Sequence, residues 1–202
     1  MASPLTRLFS TAISALTLTG CLVTSSISLI APDSIDGWES LNDGKWTVTN
    51  GELYGTKDAA IAKHSLLVSQ QSFTNFEARV VYKAIHGDSG FYFRLQPAKN
   101  GVGFEGYHAE IRSDGTNVGG IFDVAVDWIT KPDPALTKEA FNPNDWNEMV
   151  IRAVGKEITV DLNGHRMSAI TGERTMSGKL GIQLHANEAT EVKFRSILIK
   201  EL

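Results

Sequence analysis

Hydrophobic and polar residues alternate one by one in several short segments of this sequence. The alternation is clearest at residues 76–84, 90–95, 147–153 and 178–184. Side chains with a period of two lie on alternate faces of an extended strand, so each segment predicts a half-buried β-strand. The last segment, 191–201, is rich in Val, Phe and Ile, which also favours a strand. No long segment repeats at helical spacing, so the pattern predicts an all-β protein.

Short turn sequences separate these segments. Asn50-Gly51, Asp114-Gly115 and Asn163-Gly164 each suit a two-residue hairpin, because Asn, Asp and Gly accept positive φ angles. Residues 130–145 contain three prolines and predict a loop with one helical turn. Many short strands joined by hairpins predict two packed antiparallel sheets, a jelly-roll sandwich, as one domain over residues 34–202. A barrel is the alternative, because periodicity alone does not separate the two.

Three of the predicted strands carry large polar side chains on one face. In 90–95, Phe91, Phe93 and Leu95 form the apolar face, so both Phe are predicted to be buried. The same alternation predicts that Tyr92 and Arg94 lie on the opposite face. The same parity in 107–112 and 180–185 puts five further side chains on a polar face: His108, Glu110, Arg112, Gln183 and His185.

Such polar faces have two interpretations. An antiparallel sheet is often solvated on one side, and its outer residues then have no special role. Solvated strands are typically rich in Lys, Glu, Thr and Ser, as at Glu157, Thr159 and Asp161. His, Arg, Glu, Gln and Tyr instead make directional hydrogen bonds or transfer protons, which favours a functional face.

The pairing of residues within the segment 107–123 determines which residues lie next to His108 and Glu110 on that face. A two-residue turn at Asp114-Gly115 would put Glu110 opposite Gly119 and His108 opposite Ile121. A glycine opposite Glu110 would leave open space for a ligand. Gly119-Gly120 could equally form a bulge, which would shift the register by one residue and leave the facing of Asp123 open.

The first twenty residues are typical of an export signal. Arg7 precedes a short uncharged, mostly apolar run that ends in Leu18-Thr19-Gly20-Cys21. This ending resembles the lipobox of bacterial lipoproteins and predicts a signal peptide over 1–20 and lipidation of Cys21. Residues 21–33 predict a tether. The expected location is an exported bacterial lipoprotein in the periplasm, outer membrane or cell surface, held to the membrane only by its lipid. A signal peptide with a stray cysteine is the alternative.

Charge and composition exclude some classes of function. Beyond residue 20 the chain has 18 basic and 23 acidic residues, which argues against a nucleic-acid partner. Cys21 is the only cysteine, so an internal disulfide, a thiol nucleophile and a thiolate zinc site are excluded. The sequence also lacks a G-x-S-x-G motif, a P-loop, an H-E-x-x-H motif and the acidic cluster of laminarinase-type glycosidases.

Several segments together resemble one known family. They are DGW at 36–38, KWTVTNGELYG at 45–55, GDSGFYFRL at 87–95, GYHAEI at 106–111, the block at 145–164 and the ending at 178–202. Their order and content are similar to the 3-keto-disaccharide hydrolase family, whose fold is the concanavalin-like jelly roll. The resemblance implies an enzyme that cleaves 3-keto-glycosides by elimination and hydration or by hydrolysis.

The resemblance also implies site residues. Arg94 matches the arginine that closes the S-G-x-x-F-R motif, and Gln183 and His185 match the Q-x-H motif. His108 and Glu110 lie on the G-Y-x-x-x-I strand, where many members have an acidic residue or Gln in place of His108. The predicted catalytic residues are His108, Glu110, His185 and Arg94, and the predicted substrate-binding residues are Tyr92, Arg112, Gln183 and Asp123.

A ketone at C3 of a sugar acidifies the C2 proton, so the site needs a base, a group that stabilises the enolate, and an acid for the leaving group. His108 or His185 suits the base, Arg94 the enolate, and Glu110 the acid, the base or the group that orients a histidine. The sequence establishes no cofactor, and a divalent metal on His and carboxylate ligands could replace Arg94 as the electrophile. The alternatives to an enzyme are a non-catalytic carbohydrate-binding, lectin-like lipoprotein and a structural surface lipoprotein.

Overall fold

The computed structural model describes residues 25–99 and 103–202, and most of them lie in strands. The first eight strands are β1 (Ile27–Ser28), β2 (Trp38–Leu41), β3 (Lys45–Thr49), β4 (Glu52–Lys57), β5 (Ser65–Phe73), β6 (Phe76–His86), β7 (Asp88–Pro97) and β8 (Phe104–Arg112). After them come β9 (Ile121–Asp123), β10 (Trp128–Thr130), α1 (Pro134–Ala140), β11 (Asn147–Val154), β12 (Glu157–Leu162), β13 (His165–Thr171), β14 (Gly178–Leu184) and β15 (Thr190–Glu201).

The strands form two antiparallel sheets that pack face to face. The back sheet has the order β13-β12-β11-β6-β15-β4-β3, with β1 paired to β15, and the front sheet has the order β10-β9-β8-β7-β14-β5-β2. One large apolar core fills the space between them, and Phe91, Phe93, Tyr107, Ile182 and Phe194 are all fully or almost fully buried in it. The predictions of an all-β jelly-roll sandwich and of a buried Phe91 and Phe93 are therefore confirmed.

Two of the three predicted hairpin turns have the expected form. Asn50-Gly51 and Asn163-Gly164 both have positive φ at each residue, as a type I′ turn requires. The prediction of a tight turn at Asp114-Gly115 is wrong, because β8 ends at Arg112 and β9 begins only at Ile121. The proline-rich loop contains the short helix α1, which begins after Asp133, whose side chain accepts a hydrogen bond from the Ala135 N–H.

A bulge in β7 reverses the parity of the strand at Arg94. Arg94 has a φ of 52°, and the register with β8 shifts between Phe93 and Gln96. Because of this shift, Leu95 lies on the outer face beside Tyr92, and the Arg94 side chain turns inward and is fully buried. The predictions that Leu95 faces the core and that Arg94 faces outward are therefore wrong.

The bulge that the sequence left open at Gly119-Gly120 is present. The Glu110 N–H donates to the Gly120 carbonyl at 3.0 Å, and the Gly119 N–H donates to the Glu110 carbonyl at 3.0 Å. The register beyond is shifted by one residue, so His108 lies opposite Phe122 and not Ile121.

The domain begins earlier than residue 34. Ile27 and Ser28 pair with β15, and the Leu29 carbonyl accepts a hydrogen bond from Trp38 Nε1 at 2.7 Å. Residues 27–30, which composition assigned to the tether, therefore contact the sandwich. Cys21 and the predicted signal peptide lie outside the described residues. Within the described part of the chain, no helix is long and apolar enough to cross a membrane.

Candidate functional site

Three neighbouring strands of the front sheet bring the predicted polar residues together on its outer face, the face away from the core. β8, β7 and β14 lie side by side, and their registers align these residues in rows. Glu110 lies opposite Gly90, and Gly90 lies opposite Gln183. In the next row Tyr92 lies opposite His108. Facing residues on adjacent strands are within side-chain contact distance, so these four polar side chains form one cluster.

Gly90 makes the room that His108 occupies. A Cβ added at Gly90 would collide with His108 Nε2, so the imidazole lies directly over the glycine. The imidazole also stacks on the Tyr92 ring, at a centroid distance of 4.7 Å. Strand pairing and these two contacts fix the position of the ring above the sheet. The glycine of the S-G-x-x-F-R motif thus has a steric role in placing His108.

His108 and Glu110 form a buried pair that is neutral at neutral pH. Their Nε2 and Oε2 atoms are 3.9 Å apart, and both residues are at least nine-tenths buried. Burial lowers the pKa of His108 to about 4, although a hydrogen bond to the Ser89 backbone opposes this. Burial raises the pKa of Glu110 to about 9, with a further contribution from the Asp88 carboxylate. The pair therefore offers an imidazole lone pair and a protonated carboxyl group side by side.

His64 joins this cluster and was missed by the sequence analysis. Its Nδ1 accepts hydrogen bonds from the Ala186 N–H at 3.1 Å and from Gln183 Nε2 at 2.9 Å. Its ring meets that of His185 edge-on, with centroids 4.6 Å apart. Since a backbone N–H can only donate, His64 is held with Nδ1 unprotonated and the proton on Nε2. Burial, His185 and Lys57 lower the pKa of His64, which keeps it in this neutral form.

The sequence contained a weak signal for His64. It has the same parity as Leu66 and Val68, which lie on the outer face of β5. The run Ser65–Ser69 is buried on both faces, so its alternation is invisible in the sequence. The preceding loop is fixed by Lys57, whose Nζ donates to the carbonyls of Ile61 and His185, each at 2.7 Å.

A charged group borders the cluster on the same face. Arg112 donates to Asp88 Oδ2 at 2.6 Å and lies 3.6 Å from Glu188. Burial raises the pKa of Asp88, against the opposing effects of His185 and Arg112. Asp88, His185 and Glu188 each offer a ligand atom within 4.8 Å of the others, so these three could hold a divalent cation. The His185 Nδ1 contacts the Ala186 carbonyl at 2.8 Å, which leaves Nε2 as the ligand atom.

Two predicted site residues lie elsewhere. Arg94 donates to the Thr74 carbonyl through Nε and Nη2 and to the Gly155 carbonyl through Nη1, at 2.7–3.1 Å, inside the sandwich. Asp123 lies opposite Tyr107, which is a core residue, and binds Arg174 Nε at 3.0 Å. The prediction that Arg94 faces outward is wrong because a bulge changes the parity of β7. The bulge at Gly119-Gly120 places Asp123, whose facing the sequence left open, on the same face as Tyr107. Tyr92, His108, Glu110, Arg112, Gln183 and His185 all lie on the outer face, as predicted.

Unsatisfied polar atoms are concentrated at this cluster. Among the described residues, six buried side-chain polar atoms have no hydrogen-bond partner. Three of the six belong to the cluster and its border: His108 Nε2, Gln183 Oε1 and Asp88 Oδ1. Buried polar atoms are normally paired in folded proteins, so this concentration indicates a place where a polar ligand binds.

An apolar groove of about 600 Å³ adjoins the polar cluster on the same face. His64 and Tyr92 line it and also belong to the cluster. The remaining lining comes mainly from apolar side chains: Ala62, Leu66, Leu95, Phe104, Val124 and Ala186. Cluster and groove form one continuous site, polar at one end and apolar at the other.

The two packed antiparallel sheets place this protein in the class of jelly-roll sandwich domains. Residues 26–200 match the model of the 3-keto-alpha-glucoside-1,2-lyase-like domain. The chain belongs to this family, and the resemblance found in the sequence is thereby confirmed. A search of curated proteins finds no significant match.

Solved structures share the fold at low sequence identity. The carbohydrate-binding module CBM66 from Bacillus subtilis has a TM-score of 0.63 and 16% identity, over 82% of this chain and 96% of that chain. A provisionally named glycosyl hydrolase from Parabacteroides distasonis has a TM-score of 0.61 and 19% identity, over 88% of this chain and 100% of that one. The VIP36 exoplasmic/lumenal domain, bound to Ca²⁺ and Man3GlcNAc, has a TM-score of 0.58 and 17% identity, over 87% and 88%.

Proposed function

We propose that this protein cleaves 3-keto-glycosides by removing the proton at C2 of the oxidised sugar. One observation carries the proposal: His108 Nε2 is buried, lacks a partner and lies 3.9 Å from a carboxyl group that burial keeps protonated. An unprotonated base beside a proton donor is the combination that enolisation needs. Family membership supplies the substrate class.

In the proposed step, His108 Nε2 takes the C2 proton. The electrons of the C2–H bond form a C2–C3 double bond, and the C3 carbonyl oxygen becomes negatively charged. The protonated Glu110 donates a hydrogen bond to that oxygen, in the role that the sequence analysis gave to Arg94. When the ketone re-forms, a double bond forms between C1 and C2 and the C1–O bond breaks. The leaving oxygen takes up the proton held by His108 Nε2, which returns to its neutral form. Water can then add to the unsaturated sugar.

Gln183 and the Asp88–Arg112 pair act in binding. Gln183 Nε2 is already bonded to His64 Nδ1, which leaves its buried Oε1 free to accept a hydrogen bond from a sugar hydroxyl. Asp88 Oδ1 is similarly free, while Arg112 holds Oδ2. These fixed acceptors would orient the ring so that C2 faces His108.

The experiment is turnover of 3-keto-glycosides by the purified domain, compared with the parent glycosides that lack the ketone. We expect cleavage of the oxidised substrates only, because only the ketone acidifies the C2 proton. Binding of both without cleavage of either would instead assign a lectin-like function, as for CBM66. The assay is repeated after chelation. If turnover is lost after chelation and restored by added metal, Asp88, His185 and Glu188 are identified as the metal ligands. If turnover is retained, Arg112 is the cation beside Asp88.

We also propose that the protein is exported and anchored through a lipid on Cys21, on the strength of the Leu18–Cys21 motif. The Cys21→Ser variant should lose fatty-acid labelling and leave the membrane fraction. Unchanged labelling and fractionation would contradict the anchor.

A further inference from the structure

We propose that the apolar groove beside the polar cluster binds an apolar aglycone, and that the substrate is a glycoside of a hydrophobic alcohol in preference to a disaccharide. This proposal rests on the proposed function for the position of the sugar. It adds the class of leaving group, which that function leaves open.

The first argument is the unusual composition of the outer face. The exposed side of an antiparallel sheet is normally polar. Here the outer face carries a second apolar cluster, separate from the core, of Leu66, Val68, Tyr92 and Leu95 with Leu41, Phe104 and Val124 packed against it. The bulge at Arg94 contributes directly, because it moves Leu95 onto this face. Apolar side chains that gather in a groove on a sheet's outer face indicate an apolar ligand.

The second argument is the shortage of free polar groups in the groove. A second sugar would present several hydroxyl groups, and each buried hydroxyl needs a partner. The Asn42 amide group already donates to the His64 carbonyl at 2.6 Å, and His64 Nδ1 already accepts from Ala186 and Gln183. The polar side-chain groups that remain at the groove are Asn42 Oδ1, the Lys63 ammonium group and His64 Nε2, fewer than the hydroxyl groups of a hexose. An alkyl or alicyclic group needs none of them.

The third argument is the position of the boundary. His64 contacts Gln183 and His185 on the polar side and lines the groove on the other, and Tyr92 stacks on His108 and also lines the groove. A sugar held at His108 and Gln183 would therefore have its C1 substituent directed past His64 into the groove. The His64 proton on Nε2 is then available to the leaving oxygen as a hydrogen-bond donor.

The test compares two alkyl leaving groups of similar acidity with a sugar, which is the more acidic leaving group. The 3-keto-glucosides of cyclohexylmethanol and of methanol are measured beside a 3-keto-disaccharide, with kcat/KM as the readout. We expect the cyclohexylmethyl compound to be preferred by about tenfold or more over both others, because it alone buries several methylene groups. A preference for the disaccharide, or equal values for all three, would overturn the proposal.

Variants locate the effect in the groove. Val124→Thr keeps the side-chain volume and replaces a methyl group by a hydroxyl group. It should therefore lower kcat/KM for the cyclohexylmethyl glycoside about 3- to 5-fold and change kcat/KM for the disaccharide less than twofold. The control is Val126→Thr, since Val126 is 68% exposed and does not line the groove. Equal effects from the two variants would contradict the assignment.

A binding measurement separates this proposal from the proposed function. The unoxidised cyclohexylmethyl and methyl glucosides are titrated by calorimetry, which needs no turnover. Tighter binding of the cyclohexylmethyl compound without cleavage of any 3-keto-glycoside would support the groove and reject the reaction. Cleavage of 3-keto-glycosides with no preference for the cyclohexylmethyl compound in either assay would support the reaction and reject the binding of an apolar aglycone in the groove.

Discussion

Buried ionisable groups on the two faces of the front sheet differ in how completely their polar atoms are hydrogen-bonded. On the inner face, Arg94 is fully buried and its guanidinium makes three hydrogen bonds to backbone carbonyls. On the outer face, Glu110 is also buried, and the unpaired Nε2 of the neutral His108 lies 3.9 Å from its carboxyl group. A buried charge with a full set of partners stabilises the fold, whereas a buried group with a shifted pKa and free atoms is available to a ligand. The comparison thus distinguishes Arg94, which has a structural role, from His108 and Glu110, which are available for reaction.

The largest expected effect is on stability and comes from Arg94. Arg94→Met should lower the free energy of unfolding by about 3–5 kcal/mol, because the Thr74 and Gly155 carbonyls lose their donors inside the sandwich. Urea unfolding measures this, with Arg79→Met at an exposed position as the control. Unchanged stability together with lost turnover would return Arg94 to the catalytic residues.

Gly90→Ala should affect the outer face in particular. The added methyl group collides with His108, so we expect turnover to fall by about 100-fold as the base leaves its position. Gly181→Ala is the matched control, since its Cβ would have 3.3 Å to the nearest atom, Tyr92 Cβ. Full activity in Gly90→Ala would show that the position of His108 over the glycine is irrelevant to the reaction.

The sequence predicted the fold well and the site in part, because both predictions depend on the alternation of side chains along the strands. Alternation fixes which side chains share a face, so the sandwich, Phe91 and Phe93, and the grouping of His108, Glu110 and Gln183 followed from it. A bulge breaks alternation without leaving a clear mark, because it depends on one backbone angle. Arg94 and Leu95 were placed wrongly for that reason. Gly119-Gly120 marked the second bulge, so the sequence left the facing of Asp123 open.

His64 shows the other limit. It precedes a strand that is buried on both faces, so the sequence pattern gives only a weak indication of where its side chain points. Its position depends on the loop that Lys57 holds against the carbonyls of Ile61 and His185, contacts that join residues up to 128 positions apart. Such contacts are set by tertiary packing, and sequence spacing does not show them.

Glu110 should make the protein less stable as pH rises. Its pKa rises from 4.5 to about 9 on folding, so between these values only the folded chain holds the proton. Stability therefore falls as pH increases through this range. Glu110→Gln removes the effect and should stabilise the protein by on the order of 2 kcal/mol at pH 7. Thermal melts of both proteins from pH 5 to 9 give the comparison, and parallel curves would mean that Glu110 is ionised in the fold.

His108 should give a smaller effect of opposite sign in acid. Its pKa falls from 6.5 to about 4 on folding, so between these values the unfolded chain binds the additional proton. Stability is then lost as pH falls from 6.5 towards 4. His108→Gln should reduce this acid loss by about 1 kcal/mol, measured by urea unfolding at pH 4.5 and 7. His165→Gln on β13, where the side chain is 36% exposed, should leave the acid loss unchanged.

Hydrogen exchange at C2 of a 3-keto-glycoside in deuterated water tests the central claim most directly, because it reports proton removal whether or not the C1–O bond breaks. The unmodified protein should exchange that proton. His108→Ala should slow the exchange at least 100-fold while sugar binding persists, and the control His165→Ala should exchange at near the unmodified rate. Exchange by His108→Ala at the rate of the unmodified protein would contradict the account and assign the base to another residue of the cluster.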